Sequence, residues 1–425
     1  MSLNNEKYVE YVNILKEELV PAMGCTEPIA IAYCGALLKK TLGNFPKKII
    51  IKVSGNIIKN VKSVIVPHTN GLYGIDSAAC IGILAGNPDK ELQVISNVEQ
   101  KEIDKLKDFI KNMDITIESV DNEHILYIEI VGYYNNDVAR VIIQDSHTHV
   151  YLIEKNNEII LKNEVDTKTN AKSLDKSLLN IEDIVEFADK VDINEIKQTL
   201  DRQIEFNMNI ANEGLKNNYG ANIGKTILKF CNNDIVGYCK ALAASASDAR
   251  MNGCDMPVVI NSGSGNQGLT ASIPVIAYAQ RNNISQEKLY RALVVSNLCT
   301  THIKNQIGKL SAFCGVVIAG AASGAGIAYL EDGKYREIAH TLVNSLAIIS
   351  GVVCDGAKSS CAAKIASSVE AGFLGYYMFK EGNQFYGGDG IIKKGVENTI
   401  KAIGELARVG MCDTDKEIIQ IMIKN

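Results

Sequence analysis

Leu310–Leu330, LSAFCGVVIAGAASGAGIAYL, runs for 21 residues without a charged side chain, and the fold turns on how that stretch is read. Its length is enough to cross a bilayer. Its composition argues otherwise: Gly, Ala and Ser dominate, and only Phe313 and Tyr329 could serve as an aromatic belt. No second stretch of the kind occurs in a chain whose mean hydropathy is +0.02. The segment is therefore expected to be the tightly packed central helix of a soluble bundle, with small residues admitting the backbones of its neighbours.

Outward from this helix the C-terminal half reads almost wholly as helix. The periodic segments are 181–188, 193–211, 225–250, 269–280, 286–300, 312–330, 336–353, 362–377 and 390–409, separated by Gly-rich breaks. Strand–helix alternation of the Rossmann kind is missing from this half. Upstream, Val165–Asp175 (VDTKTNAKSLD) is polar and reads as a linker. Before it, KIIIKVSG, SVIVPHT, LQVISNV, ITIESV, ILYIEIVGY, VARVIIQDSHTHVYLI and EIIL are short β-branched runs, with an amphipathic helix at 102–112 between them. Tyr8 to Lys40 reads as helix, break at PAMGCTEP, helix. The expected fold class is α+β: N-terminal helices over 4–45 packing on the catalytic domain, a small mixed β domain with an antiparallel meander over 46–165, and a helical catalytic domain over 176–425.

The 425 residues carry 44 Lys+Arg against 49 Asp+Glu, net −5, with 46% hydrophobic and 22% charged residues. That is an ordinary globular composition, and it contains no basic run able to track a phosphate backbone, so nucleic acid is excluded as a partner. MSLNNEKYVEY offers neither a basic nor an apolar leader region, so a cytoplasmic location is expected. Self-association as a homo-oligomer stays open. In a reducing compartment each of the 11 Cys is a core hydrophobe, a metal ligand or a reactive thiol rather than half of a disulfide.

Cys314, Cys354 and Cys361 stand beside glycines and polar turns, in AFCGV and VVCDGAKSSC. Three thiolates make a poor structural zinc set, which closes with four ligands, but they match an iron–sulfur cluster with one open iron. Spacing alone leaves open the alternative that they are buried core thiols. Cys25, in GCTEP, precedes a helix start, where the helix dipole favours thiolate. The turn Ser264-Gly265-Asn266-Gln267-Gly268 lies directly before a helix, and converging N–H groups there suit an α-carboxylate or simply start the helix. Lys309, five residues before Cys314, could neutralise a carboxylate or a thiolate, and His302 and Lys304 lie nearby. His147 and His149, if on a strand, would share one face. Cys34, Cys80, Cys231, Cys239, Cys254 and Cys299 read as core, and Cys412 as ambiguous. A pyridoxal-phosphate enzyme is disfavoured because the strongest candidate phosphate cup, GSGNQG, lies in a mostly helical half without strand–helix alternation.

ISGVVCDGAKSSC, AFCGVVIAGAASGAGIAYL, PAMGCTEP, GSGNQG and VGMCDTDKEIIQIM together resemble the L-cysteine desulfidase family over the whole chain. They resemble the related iron–sulfur-dependent L-serine dehydratase alpha chain over the C-terminal half. The resemblance implies a [4Fe-4S] cluster on Cys314, Cys354 and Cys361, with one iron open to an amino-acid substrate. It also implies a functional Cys25, whose role as base, transient fourth ligand or sulfur carrier stays open. The implied reaction converts L-cysteine and water to pyruvate, ammonia and hydrogen sulfide, with L-serine as the alternative substrate. A thiol- or oxygen-sensing cluster protein is the alternative of another class.

Overall fold

The computed structural model describes residues 3–423 except 121, 123, 125, 164–173, 232–233 and 309–310; the side chains of residues 23 and 423 are not described. In chain order the elements begin with α1 (Asn5–Glu18), β1 (Pro21–Met23), α2 (Thr26–Leu42), β2 (Lys48–Ser54), α3 (Gly55–Val61), α4 (Gly74–Ala85) and α5 (Gln100–Asn112). Strands β3 (Asp114–Val120), β4 (Tyr127–Tyr134), β5 (Asp137–Gln144), β6 (Val150–Lys155) and β7 (Glu158–Lys162) follow. The helical half comprises α6 (Ile181–Lys190), α7 (Ile193–Lys216), α8 (Ile223–Phe230), α9 (Ile235–Met251), β8 (Pro257–Val259), α10 (Gly265–Arg281), α11 (Gln286–Ile307) and α12 (Gly315–Leu330). It closes with α13 (Tyr335–Ile349), α14 (Cys361–Lys380), α15 (Val396–Glu405) and α16 (Cys412–Ile423).

The fold is α+β and mostly helical. β2 to β7 form one sheet in the order β3-β2-β4-β5-β6-β7, with β2 and β3 parallel and every other pair antiparallel. The sheet is therefore mixed where a pure meander was expected. SVIVPHT and LQVISNV are not strands: the first is a turn with one isolated Ile65–Tyr73 bridge, and the second lies in a 3-10 segment and the turn after it. Their β-branched residues serve burial rather than pairing, since Val64, Val66, Val94 and Ile95 are all in the interior. The expected unit 4–45 also divides. α1 joins the helical core through Tyr11, Ile14, Leu15 and Leu19, whereas Ile29, Ile31, Cys34 and Leu38 of α2 belong to the core beneath the sheet.

Small residues allow the close helix contacts. A Cβ on Gly82 of α4 would fall 2.0 Å from the Ala32 carbonyl oxygen of α2, and one on Gly324 of α12 would fall 2.5 Å from that of Gly372 in α14. Val316 to Leu330 are buried all around α12, which explains its charge-free sequence without a membrane. Among the described residues no helix is long and apolar enough to cross one.

Candidate active site

Two short backbone pairings bring distant motifs together. β1 pairs antiparallel with β8, Pro21 opposite Val259 and Met23 opposite Pro257, so Cys25 follows one end of this short ribbon and the turn before α10 follows the other. An isolated antiparallel bridge joins Phe313 to Val353, with Cys314 N donating to Val352 O at 3.0 Å and Cys354 N to Ala312 O at 2.6 Å. Those bonds set Cys314 beside Cys354 across 40 residues of sequence. Cys361 opens α14, with its Sγ 3.7 Å from the Gly356 carbonyl oxygen. Gly356 has φ +90°, and a Cβ there would fall 1.8 Å from the Lys59 carbonyl oxygen, so only glycine lets the loop lie against α3.

The three thiols are electrostatically distinct. The hydrogen bond between Cys314 and Cys354 holds Cys314 protonated, an effect its burial reinforces. The same bond lowers Cys354, against its burial, and Lys59, the Gly356 N–H and Lys304 lower it further. Burial raises Cys361, opposed by the Lys358 backbone N–H. Lys59 is 1% exposed and ion-paired with Asp415 of α16. Lys304, at the end of α11, is 8% exposed, and burial lowers it to about 8 while Cys354 and Cys314 pull it back up. Cys314, Cys354 and Cys361 thus form one soft sulfur donor set facing two buried cations, and it is these residues that could hold an iron–sulfur group. Among the described residues no three His, Cys, Asp or Glu side chains close on a single metal ion.

The turn before α10 lies against this set. Ser264 is the N-cap of α10 and makes no side-chain capping bond. Gly265, Asn266 and Gln267 are buried, and a Cβ on Gly315, the residue after Cys314, would fall 2.7 Å from Cδ of Gln267. Behind the turn, a satisfied amide network fixes its backbone. Asn207 Nδ2 donates to Ser272 Oγ at 2.9 Å, Asn207 Oδ1 accepts from Val259 N at 2.8 Å, and Asn261 Nδ2 donates to Asn297 Oδ1 at 3.1 Å. Arg250, at the end of α9, donates from Nη1 to Asn266 Oδ1 at 3.2 Å. Ser359 Oγ donates to Asn252 Oδ1 at 2.8 Å, tying the cysteine loop to the same helix end.

Cys25 caps α2 and is buried, but it is not the expected thiolate. Burial and Glu27 push its thiol well up, Arg250 pulls the other way, and Sγ donates to Glu27 Oε2 at 3.1 Å. Burial first, and the carboxylate two residues on, outweigh the helix end. His147 and His149 lie in the turn between β5 and β6 rather than on a strand. His147 Nε2 is 4.0 Å from Glu27 Oε1, and His149 Nδ1 is 3.0 Å from the Gln144 carbonyl oxygen, so they form no pair. Lys309 lies outside the described residues. Cys34, Cys80, Cys239, Cys254 and Cys299 are buried, Cys231 is half-buried, and Cys412 is exposed at the start of α16. Sequence reading missed Arg250 and Lys59, which stand in no motif, and passed over Glu27 inside GCTEP.

Residues 89–420 match the serine dehydratase alpha chain family. The chain belongs to that family. The match begins inside the sheet half, well before the C-terminal half to which the sequence motifs had confined it. Over their full lengths there are closer relatives. A UPF0597 protein of Desulfitobacterium hafniense is 56% identical over 424 residues, covering 100% of this chain and 98% of that one. Another from Treponema denticola is 46% identical over 431 residues, covering all of both chains. A third, from Lachnoclostridium phytofermentans, is 43% identical over 416 residues, covering 98% of this chain and all of that one.

Proposed function

We propose that this chain is an iron–sulfur-dependent lyase that eliminates hydrogen sulfide from L-cysteine, giving pyruvate and ammonia. One observation carries the reading: the Phe313–Val353 bridge aligns Cys314 with Cys354, next to Cys361 and to an anion-suited turn. The donor set fits a [4Fe-4S] cluster chemically, with three sulfurs, two buried cations acting on Cys354, and no fourth cysteine among the described residues of the set. When bound, such a cluster supplies a Lewis-acidic open iron for the leaving group.

The chain's own residues account for the rest of the chemistry. Lys59 and Lys304 offset the negative charge of the thiolates. The first turn of α10, through Gly265, Asn266 and Gln267, offers N–H groups without intrahelical partners to the substrate carboxylate. Neutralising that carboxylate acidifies the adjacent Cα–H. Removal of the Cα proton and rupture of the Cβ–S bond release the sulfur with a proton as hydrogen sulfide. The aminoacrylate left behind tautomerises to an imine, and one water hydrolyses it to pyruvate and ammonia. Cys25 keeps its proton on Sγ at rest, which suits proton donation or sulfur handling better than resting base catalysis. Lys309 retains a proposed charge-neutralising role, which Lys304 shares.

L-serine is the second reading, favoured by the description of the matched family. Anaerobic iron reconstitution followed by parallel assays of pyruvate with L-cysteine and L-serine tests both. The expected result is faster turnover of L-cysteine with equimolar sulfide. Turnover of L-serine alone would shift the assignment, and no pyruvate from either substrate would end it.

A further inference from the structure

Two buried polar atoms at the start of α10 are unpaired, and they are of opposite kinds. Arg250 Nε is a donor without an acceptor, and Gln267 Oε1 is an acceptor without a donor, among the described residues. Each side chain is 4% exposed. Buried groups of this sort are costly to leave unmatched, and an arginine at this depth is rarely without a full set of partners.

Each group sits where only glycine leaves space. A Cβ on Gly265 would lie 2.3 Å from Arg250 Nε, 2.5 Å from Cζ and 2.8 Å from Nη2, so the guanidinium packs its face on the start of α10, nearest its Nε–Nη2 edge. That edge carries two parallel N–H bonds, the geometry that takes both oxygens of a carboxylate. The opposite nitrogen, Nη1, is already committed to Asn266 Oδ1, and Asn266 Nδ2 donates to Met251 Sδ at 3.5 Å. Asn266 therefore has both ends of its amide engaged inside the protein, which makes it a positioning residue that holds the arginine. Gln267 lies on the other side, its amide against Gly315 and so next to Cys314.

We infer that Arg250 and Gln267 divide the recognition of an α-amino acid between them, the Nε–Nη2 edge joining the α10 N–H groups on the α-carboxylate and Gln267 Oε1 taking the α-ammonium. The inference rests on the lyase reading for the presence of an amino acid, and it adds which side chains read its two charges. It also accounts for two features together, a buried donor edge and a buried acceptor at one helix start, that neither a carboxylate nor an amine alone would match.

The test uses the iron-loaded protein with three small probes: L-alanine carries both charged groups, propionate only the carboxylate and ethylamine only the ammonium. Inhibition of L-cysteine turnover and probe-induced shifts in melting temperature are measured in parallel. Arg250→Gln should raise KM for L-cysteine about 10- to 100-fold and abolish the response to propionate, with iron content unchanged and the ethylamine response retained. Gln267→Met should do the reverse, keeping propionate and losing ethylamine. Arg250→Lys should recover part of the carboxylate response. Gly265→Ala, which displaces the guanidinium without altering it, should reproduce the Arg250→Gln loss even if that variant folds poorly. Unchanged KM and probe responses in both Arg250→Gln and Gly265→Ala, with wild-type turnover intact, would overturn the inference and leave the lyase reading standing. Probe-induced melting shifts that Arg250→Gln removes, in a protein that releases no pyruvate, would uphold it and sink the lyase reading instead. A wild-type protein whose melting responds to none of the probes and whose turnover none inhibits would also overturn the inference.

Discussion

α12 and α14 meet backbone to backbone, Gly320 against Ser368 and Gly324 against Gly372, whereas α3 reaches the same site as a seven-residue helix braced from behind by α16. On the first side, Cys314 and Cys361 sit at the starts of two long helices locked by that seam, and Cys354 is fastened to the same frame by the Phe313–Val353 bridge. On the second side, Lys59 is held by Asp415, and a Cβ on Gly55 would lie 2.9 Å from Ile419 Cδ1. Cys25 and Glu27 arrive on α2, whose buried face belongs to the sheet. The helical half thus holds the three cysteines together with Lys304, and the sheet half brings Lys59, Cys25 and Glu27 to them. Under the proposed cluster, ligand geometry tolerates little displacement, which suits cysteines placed where backbones touch; charge acts over longer range and can be supplied by a shorter, braced element.

The largest expected effect breaks the helical side. Cys314→Ala, Cys354→Ala or Cys361→Ala should each abolish cluster absorbance and lower kcat by at least about 10³-fold, whereas Cys239→Ala, buried elsewhere in the same half, should leave both intact. Iron retained in any of the three would remove that residue from the ligand set. Next, Gly372→Ala should strain the seam, since its Cβ would fall 2.4 Å from the Gly320 carbonyl oxygen. A loss of about 1–3 kcal/mol is expected, read from denaturant midpoints at unchanged m-value. An equal loss from Gly43→Ala, where nothing lies within 4 Å but φ is +82°, would show that backbone conformation rather than the seam sets the cost.

Cys25→Ser sharpens the other side of the comparison. It should keep most of the iron and lose about tenfold or more in turnover, because serine caps a helix well and substitutes poorly for a thiol. Full activity would reduce Cys25 to a capping residue. The last effect, confined to stability and to neutral pH, concerns a buried charge of the helical frame. Burial raises Asp248 from 3.8 to about 6, against the Gly224 and Ile223 N–H groups. The folded state therefore holds this proton more tightly than the unfolded chain does, so the contribution to stability is full below the unfolded value and is lost as pH rises through the folded one. Asp248→Asn should stabilise the protein by about 1–3 kcal/mol at pH 7 and by nothing near pH 3.5, as melting curves at the two pH values would show. A gain that does not vary with pH would contradict the assignment.

Much of this division was legible in the sequence. The charge-free Gly/Ala/Ser run could be read as a packed helix because burial on every side removes any polar stripe. The β-branched runs located the sheet half but overcounted its strands at Ser63–Thr69 and Leu92–Val98, since periodicity does not separate a buried turn from a short buried strand. The Cys314–Cys354 pairing depends on a single bridge between segments 40 residues apart, which leaves no local trace; only the resemblance to a family pointed to it. Arg250 and Lys59 went unseen because an isolated buried cation has no pattern, and its partners come from elements far away in the chain. The thiolate expected at Cys25 failed because helix-end reasoning took no account of the thiol's burial, nor of Glu27, whose carboxylate accepts from the thiol.

The most direct test of the account is Mössbauer spectroscopy of the protein reconstituted anaerobically with iron-57, recorded with and without L-cysteine. Three cysteine ligands and an open fourth iron beside an amino-acid pocket predict about four irons per chain, one of which changes its isomer shift and quadrupole splitting when substrate is added. A protein that takes up no cluster, or one whose four irons are all unmoved by saturating L-cysteine and L-serine, would contradict it.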